Sequence, residues 1–139
     1  MRTAADLLAG ALLYLDSSAL VKLVVPEPET KALRELLRSW PERVSSVVAR
    51  IEVERVARRM GGGAIRRART VMSRIALVEL DDEVVESASA LEPPTLRTLD
   101  AIHLGTALSL RKDLGAVCAY DARLGGAAAS NGIEVLAPF

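Results

Sequence analysis

The stretch LLYLDSSALVKL, residues 12–23, decides the fold. Leu12 to Leu15 form a short apolar run that ends directly on Asp16, and Ser17 and Ser18 follow before apolar spacing resumes. A run of this length bounded by turn-forming residues reads as a strand buried on both faces. Either serine suits the N-terminus of a helix over 17–25, which Pro26 and Pro28 stop. The open question is why a buried strand should end on a carboxylate.

Working outward, strand-like and helix-like segments alternate. Leu33, Leu36 and Leu37 fall at helical spacing, with Pro41 closing that unit. RVSSVV (43–48) reads as a second strand, followed by a helix over 49–60. Gly61–Gly63 breaks the chain and reads as a turn to another helix, which ends near Arg74. IALVEL (75–80) is a third strand, and a helix over 82–91 follows, broken by Pro93 and Pro94. A helix then runs from Thr98 to about Lys112, and AVCAY (116–120) is a fourth strand. DARLGGAAAS is a short helix, and GIEVLAP (132–138) an edge strand. Strands separated by helices imply an α/β class: a central, mostly parallel sheet flanked by helices on both faces.

At 139 residues the chain has the length of one domain, and half of it is hydrophobic. Lys+Arg and Asp+Glu are each 18, so affinity for a polyanion must come from local clustering. Residues 50–75 hold eight arginines against Glu52 and Glu54, a net +6, whereas 76–100 hold seven acids and one arginine, a net −6. Arg55, Arg58, Arg59, Arg66 and Arg69 fall at spacings that share helix faces and suit phosphate, as candidate nucleic-acid contacts. The bland alternative is a solvated arginine-rich surface. With only 3% aromatic residues, base stacking is weak and contacts fall mainly on the phosphate backbone.

The single cysteine, Cys118, excludes an internal disulfide and fits a reducing, cytoplasmic setting. No apolar run approaches the ~20 residues that cross a bilayer. The N-terminal run is interrupted by Asp6 and lacks a small-residue cleavage site, so residues 1–11 read as a poorly ordered tail and 12–139 as a single domain.

In open parallel sheets, ligands bind outside the carboxyl ends of the strands. Asp16 and Asp121 each directly follow a strand, Glu52 lies in the first turns of a helix after another, and Asp100 begins the helix 98–110. Each alone has an ordinary reading as a helix-start acid. Together they form a cluster that would repel itself without cations, and a hard divalent ion takes oxygen ligands. Rival chemistries are poorly served. His103 is the sole histidine and lies one helical turn after Asp100, which predicts a helical Asp–His contact or simple packing. No nucleophile elbow, zinc ligand set or phosphate-cradling glycine loop is present.

YLDSSALVKL, SSVVARIEV, LRTLDAIHLGTAL and AYDARLGGAAASNGIEVLAP resemble, in order, the PIN-domain ribonucleases, and among them the VapC-type toxins of toxin–antitoxin modules. The resemblance covers nearly the whole chain from residue 12. It implies a PIN-like three-layer fold and an endoribonuclease dependent on Mg²⁺ or Mn²⁺. Asp16, Glu52, Asp100 and Asp121 match the family's four acidic residues, with Asp16, Asp100 and Asp121 as metal ligands and Glu52 or Asp100 assisting as a base. Ser17 matches the small hydroxyl residue that positions a ligand or water. Hydrolysis by metal-activated water, leaving 5′-phosphate and 3′-hydroxyl ends, is what the family implies. A VapB-type antitoxin laid across the groove, bringing an arginine to the carboxylates, and a homodimer are implied as partners.

One position departs from the pattern: Ala119 stands where the family usually has Thr or Ser. That departure favours the alternative of a non-catalytic PIN-like module binding RNA or protein. A receiver- or phosphatase-like domain would need a lysine near the sheet edge, and the sequence places none of Lys22, Lys31 and Lys112 there.

Overall fold

The computed structural model describes residues 8–139. Its elements run β1 (Leu12–Leu15), α1 (Ser17–Val24), α2 (Thr30–Leu37), β2 (Glu42–Ser46), α3 (Val47–Met60), α4 (Ala64–Met72), β3 (Ala76–Val78), α5 (Asp82–Ala90), α6 (Thr98–Ser109), β4 (Leu114–Cys118), α7 (Ala122–Ser130) and β5 (Val135–Leu136). The strands pair in the order β3-β2-β1-β4-β5, every pair parallel. Segments 43–48, 75–80 and 116–120 prove to be strands at 42–46, 76–78 and 114–118. The long helix ends at Ser109, and the chain continues through a 3₁₀ turn at Arg111–Asp113. Of the expected tail, residues 1–7 lie outside the described residues. Residues 8–11 form a turn in which the Gly10 N–H donates to the Lys112 carbonyl at 2.8 Å.

Alternation along the central strands builds two cores. Leu13 and Leu15 of β1, with Ala116 and Cys118 of β4, pack against α1, α2, α3 and α4. Tyr14, Val117 and Ala119 point the other way, against α6 and α7. Both faces of the sheet are thus covered, giving three layers. Cys118 belongs to the first core and is fully buried.

The chain leaves β1 for β2 and β3 on one side, then returns to place β4 on the other side of β1. The helix after β1 packs on one face, and the helix after β4 on the opposite face. The gap between the carboxyl ends of β1 and β4 is therefore the topological switch point, where open α/β sheets place their ligands. Two hydrogen bonds stitch that gap: Asp16 N–H to the Cys118 carbonyl at 3.2 Å, and Tyr120 N–H to Ser18 Oγ at 3.0 Å.

Candidate active site

Asp16 caps α1, and neither serine does. Its Oδ1 accepts the Ala19 N–H at 3.0 Å and the Ser18 hydroxyl at 2.6 Å. These bonds meet the need of a helix N-terminus for acceptors. The side chain is nevertheless 3% exposed. Burial pushes its pKa up and the Glu52 charge adds to this, while the Ser18 and Ala19 bonds and His103 work in the opposite direction without reversing it.

Asp121 caps α7 in the same way, accepting the Arg123 N–H at 2.8 Å. The Arg123 guanidinium also lies 3.5 Å from its second oxygen. Burial opposes ionisation here, but the Arg123 amide and guanidinium outweigh it and hold this carboxyl below its ordinary value. Asp100 lies in the first turn of α6. Burial raises its pKa and the Asp121 charge raises it further, against the pull of Arg123, His103 and Arg97.

Glu52 extends from α3, one layer away. Its Oε2 accepts the Ser17 hydroxyl at 3.0 Å, and its Oε1 is bonded to His103 Nε2 at 2.7 Å. The other ring nitrogen of His103 is bonded to the Tyr14 hydroxyl at 2.6 Å. This corrects the expectation for His103: the ring bonds across the sheet edge to Glu52 rather than to Asp100 one turn away. Ser17 does reach the acidic group, through Glu52.

All four acids line one cleft of about 430 Å³ at the switch point, together with Ser17, His103, Arg97 and Arg123. A second hollow of about 410 Å³ shares Ser17, Ser18, Glu52 and Asp121 and extends the groove past Tyr120 and Lys22. Lys22 therefore does stand near the sheet edge, contrary to the sequence reading. Its ammonium is engaged by Glu27 at 2.7 Å and Glu29 at 3.1 Å, and lies 4.6 Å from the centroid of the Tyr120 ring. Arg97 and Arg123 stand apart from the arginine-rich stretch 50–75, each as a single basic residue within three positions of an acid, so charge clustering does not single them out.

Arg55, Arg58, Arg59, Arg66 and Arg69 are all exposed on α3 and α4, and none lines the carboxylate cleft. Arg66 and Arg69 border a separate hollow of about 750 Å³ that carries no acid. Ala119 is buried in the second core at 3% exposure, so the missing hydroxyl is replaced by apolar packing.

The donor set tests whether a divalent cation fits. Every acidic group in the cleft offers oxygen, the ligand that Mg²⁺ and Mn²⁺ prefer. Asp100 Oδ2 is buried without a hydrogen-bond partner, an arrangement that costs free energy unless a cation answers it. Among the described residues no three acidic, His or Cys side chains close into a ready-made cage. That suits Mg²⁺, which binds through one or two carboxylates and fills its shell with water and substrate phosphate. The oxygen donors of the cleft and the unanswered Asp100 Oδ2 fit such an ion.

Known proteins resemble this chain over most of its length. The chain is 48% identical over 128 residues to Ribonuclease VapC46 of Mycobacterium tuberculosis, covering 92% of this chain and 98% of that protein. It is 38% identical over 118 residues to Ribonuclease VapC47 of the same species, covering 81% of this chain and 87% of the relative. A solved toxin–antitoxin complex from Klebsiella pneumoniae shares the fold with a TM-score of 0.73 at 22% identity, over 91% of this chain and 98% of that one. The family model of the PIN domain matches residues 13–129. The chain belongs to the PIN domain family.

Proposed function

We propose that the protein is a metal-dependent endoribonuclease acting as the toxin of a type II toxin–antitoxin pair. The observation that carries this reading is the convergence of Asp16, Glu52, Asp100 and Asp121 on one cleft at the β1–β4 switch point. The names of the relatives, Ribonuclease VapC46 and VapC47, support the same activity.

When bound, Mg²⁺ or Mn²⁺ supplies an activated water and offsets phosphate charge. The chain's own part is to place the groups around the substrate. Asp16, on a strand end tied to β4, and Asp121, on a helix cap, give fixed anchors at the sheet edge. Glu52 stands ready to accept a proton at the water's position. Arg97 and Arg123 line the same cleft and can pair with phosphate oxygens flanking the scissile bond. The exposed arginines of α3 and α4 extend the backbone contact beyond the cleft.

The acidic groove is also where a VapB-type antitoxin would lie, in the cytoplasm. The neighbouring solved structure, a toxin–antitoxin complex, supports a partner of this class. A homodimer is proposed through the α5–α6 face, where Leu80 and Val85 are exposed at 39% and 50% around an apolar hollow of about 590 Å³. Among the described residues no helix is long and apolar enough to cross a membrane. The test of function is to map RNA ends after incubation with the purified protein and Mn²⁺. New 5′-phosphate and 3′-hydroxyl ends support the reading; ends with 2′,3′-cyclic phosphate contradict it.

A further inference from the structure

The four acids of the cleft are not held alike. Asp100 keeps a buried oxygen with no partner, whereas Glu52 is bonded through both carboxylate oxygens, to Ser17 from α1 and to His103 from α6. His103 is 2% exposed and belongs to the opposite helical layer, so its bond to Glu52 bridges the sheet's carboxyl edge. Behind it, Tyr14 closes on the other ring nitrogen at 2.6 Å, with the two rings edge to face at 73°.

The direction of this chain of bonds follows from its two ends. A carboxylate can only accept and a phenol hydroxyl has a proton to give, so the Tyr14 hydroxyl, 2.6 Å from Nδ1, is placed to donate to the ring. With that proton donated to Nδ1, the N–H of the ring falls on Nε2 and points at Glu52 Oε1. A carboxylate gripped on both oxygens still has lone pairs for one further contact. A glutamate on a long side chain thereby becomes a fixed acceptor, which is what a base in a hydrolytic site requires.

We propose that His103 is the positioning residue for Glu52, locked by Tyr14, and that this relay fixes the Glu52 carboxylate for the substrate water. The catalytic half of this rests on the ribonuclease reading; the geometric half does not. Structural packing alone would explain a buried histidine but would leave its loss independent of Glu52.

His103 is the chain's one histidine, so its ring can be read without assignment by ¹⁵N–¹H NMR of the metal-free protein. The expected signal is an Nε2-protonated ring whose proton is deshielded and slow to exchange, and Glu52→Gln shifts that proton while leaving the fold intact. A ring protonated on Nδ1 alone, or one insensitive to Glu52→Gln, overturns the proposal whatever the activity. In cleavage assays, His103→Leu lowers kcat roughly 10- to 100-fold with KM within about twofold. His103→Gln, whose amide can still donate to Glu52, recovers part of that loss and covers the case in which His103→Leu fails to fold. In a Glu52→Gln background the His103→Gln change then adds nothing; a multiplicative loss overturns the coupling. If the NMR result holds while wild-type protein cuts no RNA, the ribonuclease reading fails and the positioning of Glu52 by His103 stands.

Discussion

Ser18 Oγ lies 2.6 Å from Asp16 Oδ1 and at the same time accepts the Tyr120 N–H at 3.0 Å. One hydroxyl thus orients the buried acid at the end of β1 and ties it to the chain leaving β4. Ser18→Ala removes both bonds and leaves a buried amide without its acceptor. The expected loss is about 1–3 kcal/mol of stability, together with weaker Mn²⁺ binding. Thermal unfolding and calorimetric titration of the same sample check both parts.

Asp16 should trade stability for function. Asparagine retains a side-chain oxygen for the cap but avoids burying a charge. Asp16→Asn is therefore expected to stabilise the metal-free protein at neutral pH and to lower cleavage at least about a hundredfold. The sign follows from the raised pKa of Asp16. Its protonated form favours the fold at low pH, and that contribution is lost as pH climbs from the ordinary carboxylate value through the raised one. The Tm difference between Asp16→Asn and wild type should therefore widen with rising pH in metal-free buffer. Asp121, held low, runs the opposite way: its contribution is present above the ordinary value and lost as pH falls through the lowered one. A Tm difference that stays flat across the carboxylate range contradicts this account of Asp16.

Much of this was legible in residues 12–23. A strand buried on both faces leaves little freedom in where it ends, and Asp16 marks that end. The acids after β2 and β4 followed from the same logic. The contacts of His103 did not, because helical spacing reports neighbours on one helix and says nothing about a ring that reaches over a sheet edge. Lys22 was missed for a similar reason: the turn of α1 carries it to the groove, where Glu27 and Glu29 hold it. Strand ends shifted by up to three residues because apolar runs continue into the flanking loops and helices.

Arg123 has two competing roles at Asp121, as counter-ion and as phosphate contact. Arg123→Ala should raise KM for RNA several-fold and flatten the salt dependence of binding by about one unit of slope. It should also tighten Mn²⁺ binding, since a competing cation leaves the carboxylate. Affinity measured by fluorescence anisotropy across a salt series separates these effects. Arg69→Ala, on the exposed α4 strip, should change the slope without altering metal affinity.

The packing has no room for a side chain at two glycines, one in α6 and one in β4. A Cβ at Gly105 would stand 2.9 Å from the Ala88 backbone nitrogen, forcing α5 away from α6. One at Gly115 would meet the Gly10 carbonyl oxygen and, at 2.6 Å, the Trp40 ring. Gly105→Ala is expected to cost about 1–3 kcal/mol, and Gly115→Ala at least as much, since backbone as well as side chain must move. Chemical denaturation reads this directly.

The central claim is that carboxylates at the β1–β4 switch point cut RNA with a divalent cation. The most direct measurement is RNA cleavage by the purified protein as Mn²⁺ or Mg²⁺ is titrated, run beside a folded Asp16→Asn variant. The account predicts cleavage that rises with metal, stops with chelator and is abolished by Asp16→Asn. Cleavage that persists in chelator, or that Asp16→Asn performs as well as wild type, contradicts it.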